Sequence, residues 1–298
     1  MKIDIIKESG FCGGVTRAIY ILNKTIKENP DRPIYLLGSI VHNMLVNEEF
    51  RQKGVKIIDN LDLEKLEDGS IVVISAHGKS YKEREKLNRF TIVDTTCPYV
   101  YKNKKIIDEN EANNIIFIGK KAHAETRAMC GDNPNIFIVE KPEDLDNVDT
   151  SSMGVVYNQT TFNINKLEKI HEIIKEKAPF FEINNTMCPT SKNLQEFLNM
   201  KDDRYDVCIV VGDKLSSNTK KLAKVSLEQA LIKTILVEDL NELKSYDLKN
   251  YKAINISSGA STPSYIVDEI INYLEELWFN SSIFLFIHLS ASSIQPAI

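Results

Sequence analysis

The chemistry in this sequence is carried first by three cysteines. Cys12 lies in Ser-Gly-Phe-Cys-Gly-Gly, Cys97 in Asp-Thr-Thr-Cys-Pro-Tyr and Cys188 in Asn-Thr-Met-Cys-Pro-Thr. Each follows a short apolar run (3–6, 91–93 and 180–183) and precedes a helix-like stretch, at near-equal spacing along the chain. One ligand type recurring at one kind of junction points to a triplicated unit. Three thiolates converging from three units would hold a group of threefold symmetry and leave one face open. Thiolates select soft metals: zinc, copper(I) or iron–sulfur. Structural zinc usually takes local Cys-x-x-Cys pairs, which this sequence lacks. A cubane cluster normally takes four cysteines, so three would leave one iron open. A helix N-terminus lowers a thiol pKa and favours the ligating thiolate. Cys130 and Cys208 read instead as small buried apolar residues, Cys208 most clearly, inside Val-Cys-Ile-Val-Val.

Each cysteine is followed by two polar groups at the ends of later apolar runs. His42 and His77 follow Cys12, His123 and Thr160 follow Cys97, and Asn218 and Ser261 follow Cys188. The chain has five histidines, and three of them follow apolar strands. With Ser216, Ser217, Asn218 and Ser261 they suggest a polar cage. The segments 216–218 and 261–263 both open helices, where unpaired N–H groups attract phosphate and where Ser and Asn also serve as ordinary caps. Glu125 stands two residues after His123 in the same loop. It is either a solvated acid or, if burial raises its pKa, a general acid. Thr160 and Thr161 offer hydroxyls that cap a helix or relay a proton.

The elements that must position these groups follow from periodicity. Short Ile- and Val-rich runs alternate with amphipathic stretches, such as Val15, Ala18, Ile19, Leu22 and Ile26 on one helical face. Strands alternating with helices predict an α/β protein with small parallel-rich sheets, and the recurring cysteine junctions divide it into three similar units. The units are expected at 13–96, at 97–187, and at 1–12 with 188–280, leaving an uncharged tail at 281–298. In parallel sheets ligands bind beyond the carboxyl ends of the strands, and nearly every chemically capable residue falls there.

Composition narrows the class. Lys and Arg total 37 against 42 Asp and Glu, a net charge of −5, which argues against nucleic acid as partner. Five cysteines among 298 residues make no disulfide scaffold. The start Met-Lys-Ile-Asp-Ile-Ile reads as a strand rather than a signal peptide. A reducing cytoplasmic location is therefore expected. There is no Gly-x-Gly-x-x-Gly fingerprint and no phosphate loop of the Walker type. Electrons, if used, should come from another protein. Two other classes use similar residues. An iron–sulfur sensor would need no cage or Glu125, and a zinc hydrolase would be redox-silent.

Phe-Cys-Gly-Gly-Val-x-Arg-Ala, Val-His-Asn, Ser-Ala-His-Gly, Asp-Thr-Thr-Cys-Pro, His-Ala-Glu, Asn-Gln-Thr-Thr, Ser-Ser-Asn and Gly-Ala-Ser-x-Pro occur in that order. The series resembles the 4-hydroxy-3-methylbut-2-enyl diphosphate reductase family over about residues 1–278. The resemblance implies a cloverleaf of three α/β units around a [4Fe-4S] cluster held by Cys12, Cys97 and Cys188, with one iron open. It implies a diphosphate pocket of His42, His77, His123, Ser216, Ser217, Asn218 and Ser261. Glu125 matches the family's proton donor and Thr160 its substrate-hydroxyl partner. The implied reaction is reductive dehydroxylation to isopentenyl and dimethylallyl diphosphate, with electrons from an external donor such as ferredoxin or flavodoxin. The segment after Trp278 departs from the pattern. Residues 277–298 hold no Asp, Glu, Lys or Arg. Ser, His, Gln and Pro interrupt the apolar run, so a disordered or aberrant tail is expected rather than a membrane span.

Overall fold

The computed structural model describes residues 2–6, 9–58, 63–110, 114–199, 204–228 and 232–291, with side chains up to residue 277 apart from Ser217. Clustering of the chain gives two units, Phe11–Phe197 and Met1–Gly10 with Leu198–Ile298.

The unit from Phe11 to Phe197 contains two parallel sheets of four strands each. Its first half runs α1 (Gly13–Glu28), β1 (Ile34–Leu37), α2 (Met44–Gln52), β2 (Lys56–Ile58), β3 (Ile71–Ile74), α3 (Tyr81–Glu85) and β4 (Thr91–Asp94). The strand order is β2-β1-β3-β4, all parallel. The central strands β1 and β3 are buried at every position. That is why they read as unbroken apolar runs rather than alternating ones. One face packs on α1 and α2 through Ala18, Leu22, Val46 and Phe50.

The second half runs α4 (Pro98–Asp108), β5 (Ile115–Ile118), α5 (Ala124–Cys130), β6 (Ile136–Val139), β7 (Gly154–Asn158), α6 (Ile164–Lys177), β8 (Phe181–Ile183) and α7 (Pro189–Asn199). Its strands lie in the order β6-β5-β7-β8, again all parallel. Val100 and Ile107 of α4 pack with Ile115, Phe117 and Met129 on one face, and Leu167, Ile170 and Ile174 of α6 cover the other.

The second unit holds β9 (Lys2–Ile5), β10 (Val207–Val211), α8 (Ser217–Glu228), β11 (Lys233–Val237), α9 (Leu240–Leu243), β12 (Ala253–Ser258) and α10 (Ser264–Ala291). The sheet order is β9-β12-β10-β11, all parallel, with the N-terminal strand pairing β12 from Lys2↔Ala253 to Ile5↔Ile256. Ile266, Val267, Ile270 and Leu274 seal α10 onto this sheet.

Three four-stranded parallel sheets with interspersed helices meet the α/β expectation. Past Trp278 the helical backbone runs on to Ala291 rather than being disordered there. Residues 279–291 contain neither Gly nor Pro, so nothing in the segment stops the helix. The remainder of the expected tail, 292–298, lies outside the described residues. Among the described residues no helix is long and apolar enough to cross a membrane.

Candidate functional site

Each of the three cysteines heads a helix. The carbonyls of Cys12, Cys97 and Cys188 accept the first helical bonds, from Thr16, Tyr101 and Lys192 N–H, each at 2.9 Å. Pro98 and Pro189 occupy the first helical positions of α4 and α7, where a missing N–H costs nothing. The Cys12 and Cys97 thiols both lie beside Gly14. A Cβ built on Gly14 would lie 2.6 Å from Cys97 Sγ and 3.9 Å from Cys12 Sγ, so only glycine lets α1 start so close to a second thiol. Burial pushes the Cys12 and Cys97 thiols up, against the pull of helix N-terminal amides at Gly14 and Val15 and at Tyr99 and Val100. Cys188 acts on both, and Cys12 on Cys97, to disfavour the thiolate further. Among the described residues the three sulfurs are not a trio within 4.8 Å of one another. Three soft thiol donors suit a soft metal or an iron–sulfur group. Cys130 and Cys208 stand apart as packing residues. Burial pushes Cys130 up to about 12 and Cys208 to about 11.

His42, His77 and His123 form a second cluster. Their ring nitrogens lie within 4.8 Å of one another, and the ring centroids are 4.5, 5.7 and 5.5 Å apart. His42 and His77 come from loops after β1 and β3; His123 comes from the loop after β5. Burial, then His42 and His123, hold His77 well below the usual histidine range. His123 caps α5, its Nδ1 accepting from Glu125 N–H at 3.2 Å. The ring proton of His123 therefore sits on Nε2, leaving that nitrogen to donate.

Glu125 is not a solvated loop acid. It lies in the first turn of α5 and is 2% exposed. Thr160 N–H donates to one carboxylate oxygen at 2.7 Å and Thr160 Oγ1–H to the other at 2.8 Å. Thr160 carbonyl in turn accepts from Cys188 N–H at 2.9 Å. One threonine thus joins the acid to the third thiol. The loop bearing Cys188 is fixed to the end of β7 by Asn158 N–H to Thr186 Oγ1 at 2.9 Å and Thr186 N–H to Asn158 Oδ1 at 3.0 Å.

Sequence reading missed the residues behind the site. Arg17 donates to Thr96 carbonyl at 3.1 Å, tying the Cys12 helix to the residue before Cys97. Asp94 accepts from Thr96 N–H at 2.8 Å and pairs with Arg84 at 2.7 Å. Cys97 N–H donates to Ala76 carbonyl at 3.0 Å, beside His77. Arg17 and Asp94 stood inside quoted motifs, but charged residues near helix and strand ends are too common to single out.

The other unit places Ser216, Ser217 and Asn218 at the start of α8, and Ser261 two residues before Pro263. Ser216 Oγ accepts from Thr219 N–H at 3.4 Å. Both polar atoms of the Asn218 amide are shut off from solvent with no partner among the described residues. An unsatisfied buried amide at a helix N-terminus is unusual and suits a ligand.

A family model described as LytB protein matches residues 3–275. The chain belongs to the LytB family. This LytB chain is 37% identical over 286 residues to the 4-hydroxy-3-methylbut-2-enyl diphosphate reductase of Bacillus subtilis (strain 168), covering 92% of this chain and 91% of that one. It superposes with TM-score 0.85 on the solved E-1-hydroxy-2-methyl-but-2-enyl-4-diphosphate reductase of Plasmodium falciparum, at 32% identity over 92% of this chain and 87% of that one. A second solved structure, (E)-4-hydroxy-3-methyl-but-2-enyl diphosphate reductase, described as the terminal enzyme of the non-mevalonate pathway, aligns at TM-score 0.67 and 27% identity. That alignment covers 92% of this chain and 99% of the other. The LytB chain is accordingly an enzyme, an oxidoreductase.

Proposed function

We propose that this LytB enzyme converts (E)-4-hydroxy-3-methylbut-2-enyl diphosphate to isopentenyl and dimethylallyl diphosphate, with Cys12, Cys97 and Cys188 holding a [4Fe-4S] cluster. The observation that carries the reading is that three cysteines, each at the head of a helix, lie in the same unit as a buried carboxyl and an imidazole trio. The donor set fits the cluster: soft, and one cysteine short of full coordination. When bound, such a cluster supplies electrons and a Lewis-acidic open iron. An electron pair from an external carrier such as ferredoxin or flavodoxin, with two protons, replaces the allylic C–O bond by C–H and releases water.

The chain's own residues do the rest. His42, His77, His123, Ser216, Ser217, Asn218 and Ser261 are assigned to the diphosphate. Glu125 is assigned as proton donor and Thr160 as partner of the substrate hydroxyl. In the protonated acid, the Glu125 proton can pass along the 2.8 Å bond to Thr160 Oγ1 while the Thr160 proton passes to the leaving oxygen. Burial of the acid keeps that proton from bulk water. One sheet falls in each of the segments 13–96, 97–187, and 1–12 with 188–280, which supports these boundaries for three repeated units. The location assigned is the cytoplasm.

Anaerobic purification with iron and sulfide counts tests the proposal. Cys12→Ser, Cys97→Ser and Cys188→Ser are each expected to lose cluster and activity, and Cys208→Ser to keep both. An active variant with intact cluster among the first three would defeat it.

A further inference from the structure

The imidazole trio draws on two sheets: His42 and His77 leave one, His123 the other. Its spacing depends on how α3, which follows the His77 loop, meets α5, which begins after His123. Asp132, two residues beyond the end of α5, makes that joint. Asp132 accepts from Tyr81 N–H at 2.7 Å with one carboxylate oxygen and from Lys82 N–H at 3.0 Å with the other. These are the first two amides of α3, which no bond within that helix can satisfy. Lys104, on the helix headed by Cys97, reaches Asp132 at 3.1 Å and Asp108 at 3.0 Å, with its ammonium 4.6 Å from the Tyr81 ring centroid. The Lys104 and Asp132 side chains are 10% and 14% exposed, so the pair is screened far less than one on the surface. A Cβ on Gly131 would come 2.6 Å from the Arg127 carbonyl of α5 and 3.3 Å from Ser80 Cβ, so glycine serves the end of α5 first and its closeness to Ser80 second. One carboxylate thus binds the His77-loop helix, the His123–Glu125 helix and the Cys97 helix together.

We infer that Asp132 and Lys104 are a positioning pair that sets the spacing of the diphosphate cage. The inference rests on the reading of the trio as that cage. Neither side chain is assigned to substrate. A pair serving stability alone would lower the folding midpoint and leave the affinity of the folded protein unchanged. A pair serving position changes affinity in fully folded, cluster-loaded protein.

The test is calorimetric titration of the anaerobic, cluster-loaded full chain with inorganic pyrophosphate, beside steady-state kinetics. Asp132→Asn keeps size but loses the charge that ties Lys104 to the start of α3, leaving Lys104 paired with Asp108 alone. At wild-type iron content it is expected to bind pyrophosphate about tenfold more weakly and to raise KM by a similar factor, with kcat changed much less. Lys104→Met should behave likewise, and Lys104→Arg, which keeps the cation, should stay within about twofold of wild type. If Asp132→Asn does not fold, the Lys104 pair alone decides. Wild-type affinity in both Asp132→Asn and Lys104→Met, beside a weakened His42→Ala control, would overturn the positioning role and leave the cage standing. Wild-type affinity in His42→Ala itself would remove the cage, and the role of the pair with it.

Discussion

Glu125 shows how much one residue depends on its surroundings. As a sequence letter it is an acid beside a histidine. In the fold both its oxygens are held by Thr160 and its side chain is closed to water. Glu125→Gln keeps size and most hydrogen bonding but cannot deliver a proton. Turnover is expected to fall by about 10²–10⁴ with substrate affinity largely kept. Steady-state rates of cluster-loaded enzyme decide, and a rate near wild type would mean that protons arrive by another route. His77 gives a second residue-scale expectation. Held well below the usual histidine range by burial and by two neighbouring imidazoles, it is neutral near neutral pH. An anion placed beside it favours the charged form. Pyrophosphate binding should therefore take up protons, and affinity should strengthen as pH falls toward the ordinary histidine range. Calorimetry in buffers of different ionisation enthalpy measures the uptake, and zero uptake would leave His77 a neutral donor only.

At the scale of elements, the recurring device is a parallel strand, a short loop and a helix whose first carbonyl belongs to a cysteine. The strand brings the chain to the carboxyl edge, and the helix N-terminus directs amides at the sulfur. The close contact of α1 with Cys97 depends on Gly14. Gly14→Ala puts a methyl 2.6 Å from Cys97 Sγ, so one of them must move. Such overpacking costs about 1–3 kcal/mol. The variant is expected to fold but to hold less iron per chain. Gly13 is the control, since a Cβ there meets nothing within 4 Å. Equal iron content in Gly13→Ala and Gly14→Ala would show that the approach tolerates a methyl group.

At the scale of the whole molecule, the chain's two units each carry part of the proposed chemistry. The unit from Phe11 to Phe197 bears all three thiols, the imidazole trio and Glu125. The other bears Ser216, Ser217, Asn218 and Ser261. The Asn218 amide has no hydrogen-bond partner among the described residues. Asn218→Ala should leave the melting temperature unchanged or raised, because a buried unpaired amide costs stability. It should weaken pyrophosphate binding by about 1.5–3 kcal/mol, the range for hydrogen bonds to charged groups. Iron content should not change. A lowered melting temperature with intact affinity would make the amide a structural residue instead.

The α/β class was legible in the sequence because central parallel strands are buried on both faces. Runs such as Ile71–Ile74 and Ile115–Ile118 therefore stand out as continuous apolar letters. The strand–Cys–helix junctions were legible because Gly-Gly and Pro after the cysteines are local helix-start signals. Which residues would stand next to one another was not. Glu125 and Thr160, or Lys104, Asp132 and the start of α3, meet through contacts far apart in sequence. No local periodicity encodes such pairs. Past Trp278 hydropathy alone points to an atypical tail, whereas the absence of Gly and Pro from 279–291 lets α10 run on to Ala291. Residue types and junctions thus follow from short-range physics, namely burial pattern, caps and turn chemistry. The distances that turn those residues into a site follow only from how sheets and helices pack.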